Sequence, residues 1–190
     1  MKVIFMDHDG VICLNGQWGN RSKKRKKYID EFGMPDSDMT MPVEYRFDDF
    51  DKEAIKVLNQ ILEETGAEIV ISSDWRRWAT VEEMGDYYTQ QGIIKKPINY
   101  TTSILKGDCK INSWISELEE TRSLEILNYL ETHPEITNWV AIDDLNMSER
   151  TEVRPDELSW GLKNFAWTPY ESEGIKQSGI KEKVIKYLVE

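Results

Sequence analysis

An α/β architecture, with parallel strands covered by helices on both faces, is predicted by three features of the 190-residue chain. Five short apolar segments, at 2–6, 68–72, 98–100, 139–143 and 164–167, look like buried strands. Helical stretches separate them, and alternation of this kind produces parallel sheets. The third feature is placement. Asp7, Asp9, Ser72, Asp143 and Asp144 all fall at the carboxyl ends of these segments, the edge at which such sheets bind ligands.

The elements can be taken in order. Strand 2–6 is apolar and runs into Asp7-His8-Asp9-Gly10. If it stays extended to its tip, Asp7 and Asp9 project to the same side and His8 to the other. A helix follows at Ala54, Val57, Leu58, Ile61 and Leu62, with Asp51 as its cap and Gly66 as its stop. After strand 68–72, a second helix is expected at about 78–91, ending at Gly92. Leu124, Leu127 and Leu130 mark one face of a third, which Pro134 closes and Arg122 opens. The last helix runs from about Ile180 to Leu188. Residues 12–47 break the alternation: Gly16, Gly19, Gly33, Pro35 and Pro42 interrupt them. They read as an elaborated loop with a short helix at 24–32, inside a single domain spanning 1–190.

Composition narrows the class. A net charge of -11 argues against a protein that binds nucleic acid over its whole surface. Six cations nevertheless crowd into 21–27: Arg21, Lys23, Lys24, Arg25, Lys26 and Lys27. That run reads either as a solvated helix face or as a polynucleotide contact. Two cysteines, Cys13 and Cys109, do not make a disulfide framework and point to a reducing cytoplasm. The four apolar residues after Lys2 are too few for a signal peptide, and no run approaches a membrane span.

Two carboxylates at one strand tip repel each other, which calls for a cation or a proton-transfer task. A carboxylate can attack phosphorus and form an aspartyl-phosphate, dividing one difficult displacement into two easier ones. Asp7 is placed to attack, and Asp9 to protonate the leaving oxygen and later take a proton from water. Asp143 would share a magnesium ion with Asp7, since oxygen donors without a His/Cys cluster suit that metal. A Ser72 hydroxyl and a cation from the helix before the fourth strand would hold the remaining phosphate oxygens. The bland alternatives are an Asp-Gly turn and a strand-end serine tied to backbone, with Ser73 an available substitute for Ser72.

Asp7-His8-Asp9-Gly10-Val11 resembles motif I of the haloacid dehalogenase (HAD) superfamily of phosphotransferases, Ile69–Ser72 motif II, and Ala141–Asp144 motif IV. Ser72-Ser73-Asp74-Trp75-Arg76 brings the resemblance closest to the small HAD domain of Swiss Army Knife RNA repair proteins. The resemblance covers nearly the whole chain except 12–47. It implies a three-layer, Rossmann-like sheet of order 5-4-1-2-3, capless or minimally capped. It makes Asp7 the nucleophile, Asp9 the acid/base and Ser72 the motif II hydroxyl. It implies a magnesium site of Asp7, the Asp9 backbone carbonyl and Asp143, with Asp144 as ligand or support. Motif III falls on Arg122, with Lys110 and Lys106 open; Ser73, Arg76 and Lys110 are the candidates for holding substrate.

The expected substrate is a phosphomonoester on a small molecule, nucleotide or polynucleotide end. Two other uses of the same residues stay open: a non-hydrolytic nucleic-acid-end module, and phosphotransfer to an acceptor other than water. Arg76 could bind phosphate or pair with a carboxylate. Trp18, Trp75 and Trp78 could stack on bases or pack in the core. His8 reads as packing and His133 as loop.

Overall fold

A computed structural model describes residues 1–104, 114–148 and 161–190. Among these residues five strands form one sheet: β1 Lys2–Met6, β2 Glu68–Ile71, β3 Asn99–Tyr100, β4 Asn138–Asp143 and β5 Phe165–Trp167. Their order is β3-β2-β1-β4-β5 and every pairing is parallel. This is the expected order read from the other edge. The helices are α1 Asn20–Phe32, α2 Lys52–Thr65, α3 Val81–Gln91, α4 Trp114–Thr132 and α5 Ile180–Val189.

Side-chain alternation along the strands builds the three layers. Ile4, Met6, Ile69, Ile71, Val140 and Ile142 point to one face, where α2, α3 and α5 cover them. Val3, Phe5, Val70, Ala141 and Phe165 point to the other, against Ile126 and Tyr129 of α4. The first cluster runs from Ile4 to Leu188, so α5 shares a core with β1. Among the described residues no helix is long and apolar enough to cross a membrane.

Local chemistry explains most boundaries. Asp51 accepts the amides of Glu53 and Ala54 at 3.1 and 2.9 Å and starts α2, which Gly66 ends at φ 69°. The second expected helix starts later than 78. Ser73 accepts the Trp75 amide to cap a separate 3-10 turn over Asp74–Arg77, and Thr80 then opens α3 in a capping box with Glu83. In the elaborated loop, α1 starts at Asn20 instead of 24. Gly19 offers it no side-chain cap, and the Asp48 carboxylate accepts the Arg21 amide from a distant part of the chain.

The α4 expectation needs two corrections. Arg122 lies well inside this helix, which begins at Trp114. Its deepest residues are Ser123, Glu125, Ile126 and Tyr129, whereas Leu124, Leu127 and Leu130 are half-buried. The inward face is rotated because charged side chains on it have buried work to do. Glu125 pairs with Arg76 at 2.7 Å, with the two side chains 3% and 8% exposed. Arg76 also donates to Thr101 at 2.8 Å and Ser103 at 3.1 Å. Of the two readings of Arg76, the carboxylate pair is the one observed; the side chain straps the turn after β2 to α4 and to the loop after β3.

Removing one member of such a pair strands a buried charge. Arg76→Met is expected to destabilise the protein by about 3 kcal/mol, measured as a lower midpoint of urea unfolding. An unchanged midpoint with impaired substrate binding would return Arg76 to the substrate.

Candidate active site

The carboxyl ends of β2, β1 and β4 lie side by side at the centre of the sheet, and their last residues converge. Asp7 and Asp143 are 4% and 1% exposed. With the half-buried Asp144 they bring carboxylate oxygens within 4.8 Å of one another. Arg122 reaches in from α4, and one guanidinium nitrogen lies 3.0 Å from Asp7 Oδ1 and 3.0 Å from Asp143 Oδ2. Asp143 Oδ1 accepts the Leu145 amide at 2.9 Å.

Three carboxylates and one guanidinium do not balance. Burial pushes Asp143 well above the usual carboxylate range; Arg122 opposes this, while Asp7 and Asp144 add to it. Asp144 is pushed up to about 6 by burial and by Asp7. Burial works against the charged form of Arg122, yet Asp143 and Asp7 outweigh it and raise the group's pKa. Compact, hard and oxygen-only, the donor set fits a divalent cation of the magnesium type. Asp7, Asp143 and Asp144 are the side chains that would hold it.

Gly10 makes this packing possible. Its φ is 68°, and a Cβ there would lie 2.6 Å from Asp144 Oδ2, so the position excludes any side chain on both counts.

Asp9 stands apart from the acidic group because the strand does not stay extended to its tip. The amides of Val11, Ile12 and Cys13 all donate to the His8 carbonyl, winding the chain into a tight loop. The Asp9 carboxylate instead accepts the Trp75 indole N–H at 2.8 Å. Burial raises its pKa, and this hydrogen bond opposes the rise. His8 does point to the opposite side, as alternation predicts. It is fully buried, 2.9 Å from the Tyr88 hydroxyl, stacked on Phe50 and tilted against Trp75. Burial and then Arg122 depress it to about 3, so it packs as a neutral ring.

The two serines after β2 divide their tasks. Ser73 accepts the Trp75 amide at 3.5 Å as a cap. The Ser72 hydroxyl is buried, at the end of the strand beside β1, and has no hydrogen-bond partner among the described residues. Native interiors leave few such groups, and each costs about 1–3 kcal/mol. Of the remaining candidates, Lys106 and Lys110 lie outside the described residues, as does Cys109.

Phe47 and Asp48 belong to the site's surroundings and were not anticipated. They line a cavity with Asp9, Trp18, Arg21 and Trp75. Neither helical nor strand periodicity marks them, because they sit in an irregular stretch. The elaborated loop therefore walls one side of the site. The basic run divides there: Lys24 pairs with Asp49 at 2.8 Å and Arg25 with Asp38, while Lys23, Lys26 and Lys27 are exposed.

Searches of curated proteins and of solved structures returned no match. Residues 3–160 match the family described as "HAD domain in Swiss Army Knife RNA repair proteins". The matched span includes 12–47, which the motif resemblance had left out, and stops before β5 and α5. Covering well over half of the sequence, it means that the chain belongs to this family of HAD domains.

Proposed function

We propose that this protein is a magnesium-dependent phosphatase that hydrolyses a phosphomonoester on a nucleotide or polynucleotide end through an aspartyl-phosphate. One observation carries the reading: three carboxylates, a guanidinium and an unpartnered serine hydroxyl meet at adjacent strand ends. A cap, a turn or a structural ion pair explains one or two of these groups, but not the Ser72 hydroxyl beside the acidic cluster. The family's place in RNA repair proteins supports a phosphorylated nucleic-acid substrate.

In this proposal an Asp7 carboxylate oxygen attacks phosphorus and forms the new P–O bond. The bond to the ester oxygen breaks, and the leaving oxygen takes a proton from Asp9. Water then attacks the same phosphorus, gives its proton to Asp9, and the bond to Asp7 breaks to release phosphate. Ser72 and Arg122 bind the non-bridging oxygens, where charge is redistributed in both steps. Bound magnesium would offset the repulsion between the Asp7 carboxylate and an anionic substrate. The Trp75 indole N–H, which the Asp9 carboxylate accepts where both residues line a cavity, supports this role by orienting the acid.

Asp7→Asn is expected to lower turnover of phosphorylated nucleotides and oligonucleotides by at least about a thousandfold without loss of the folded state, followed by phosphate release and circular dichroism. Chelation of divalent ions should abolish turnover in the parent, and added magnesium should restore it. Turnover that survives both treatments in enzyme freed of contaminants would remove Asp7 and the metal from the mechanism. Asp9→Asn should slow alkyl phosphates more than nitrophenyl phosphate, whose leaving group needs no proton. A uniform loss across the series would count against Asp9 as the acid.

A further inference from the structure

Beside the catalytic loop lies a cavity of about 260 Å³, and the phosphatase chemistry uses only its Asp9 edge. Phe47 and Trp75 close its floor as buried rings stacked 4.5 Å apart. Trp18, also in the wall, is 44% exposed. Its indole N–H donates to the Cys13 carbonyl at 3.3 Å, which pins an open aromatic face to the loop that carries Asp9. Arg21 completes the wall. Asp48 accepts its backbone amide, but its guanidinium has no carboxylate partner among the described residues, unlike its neighbours Lys24 and Arg25.

Charge decides what the cavity suits. Asp9 and Asp48 stand in its wall and disfavour a second phosphate inside it, whereas a neutral aromatic ring meets no such penalty. Arg21 also lines a second cavity, of about 280 Å³, which contains Trp78 at 51% exposure. Arg21 lines both cavities, so Trp18 beside Asp9 is joined to Trp78 through a guanidinium with no carboxylate partner among the described residues. Bases and phosphates of a single strand present the complementary alternation.

We infer that Trp18 and Arg21 form a nucleotide subsite beside the catalytic loop. The base next to the scissile phosphate stacks on Trp18, Arg21 takes the adjoining phosphodiester, and the strand continues toward Trp78. This deepens the phosphatase reading and rests on it: the substrate class becomes a single-stranded polynucleotide end, not a baseless phosphorylated metabolite. The exposed Lys23, Lys26 and Lys27 have no part in this path.

The test uses the full chain with glycerol phosphate, nucleoside monophosphates and short oligoribonucleotides phosphorylated at the 3′ or 5′ end. Trp18→Ala should lower the ratio of kcat/KM for oligonucleotide to that for glycerol phosphate about tenfold, the loss of one base stack, with Trp18→Phe recovering most of it. Binding is measured separately on the Asp7→Asn chain. There Arg21→Gln should reduce the salt slope of oligonucleotide binding by about 0.7, one phosphate contact, while Lys26→Gln leaves the slope at the parent value. A parent that hydrolyses phosphomonoesters with a ratio insensitive to Trp18→Ala overturns the subsite and leaves the phosphatase reading standing. Oligonucleotide binding that weakens about tenfold on Trp18→Ala, in a chain whose parent hydrolyses nothing, supports the subsite and sinks only the phosphatase reading. A slope change from Lys26→Gln but none from Arg21→Gln overturns the assignment of Arg21.

Discussion

Repulsion among Asp7, Asp143 and Asp144 is the constraint that the surrounding structure answers. Two unit charges about 4 Å apart interact by roughly 4 kcal/mol at an effective dielectric constant of about 20. Here three carboxylates have oxygens within 4.8 Å of one another, and two of the residues are almost fully buried. Sheet topology forces the approach, because Asp7 and Asp143 follow adjacent parallel strands and Asp144 comes next in the chain. Arg122 relieves part of the repulsion, and its contact with both Asp7 and Asp143 explains why a charged residue occupies the inward face of α4. Burial raises the Asp143 and Asp144 pKa values, and the neighbouring Asp7 carboxylate adds to the rise in both. A site of this kind is costly to maintain without a ligand and favourable once a divalent cation enters, which is the physical basis for reading it as functional.

Much of this was legible in the sequence because it depends on short-range pattern. Apolar runs bounded by Asp or Ser identify strand tips, and parallel pairing brings the tips together. Asp51, Gly66 and Gly92 end or start helices through their own backbone or side-chain chemistry, so those boundaries were readable. The misses share a cause: each depends on a partner distant in the chain. Asp48 accepts the Arg21 amide in the first turn of α1, and the Asp9 carboxylate accepts the Trp75 indole N–H. Ser72 and Ser73 are adjacent and chemically identical, and only the position of the Trp75 amide decides which one caps.

The rotation of α4 belongs with these. Helical periodicity finds the apolar stripe, and Leu124, Leu127 and Leu130 do form one. The buried face is instead offset toward Arg122, Ser123, Glu125 and Ile126, because burying two ion-paired side chains fixes the helix's orientation more tightly than packing leucines does. Leucines tolerate a small rotation with little loss of contact. A guanidinium shared between two carboxylates at 3.0 Å does not.

Trp75 joins the chemistry to the elaborated loop. Its indole N–H positions the Asp9 carboxylate, while its ring stacks on Phe47 and Phe50 and against His8. The orientation of Asp9 thus depends on packing supplied by residues outside the strand–helix repeat. This accounts for three aromatic rings and a neutral histidine in one stack at a polar strand edge, where a turn would otherwise be solvated. It also gives residues 12–47 a role that does not require closing over the site. Trp18, Arg21 and Phe47 form the wall next to Asp9, so in the proposed reaction these residues would hold the acid in place by packing and not by covering it.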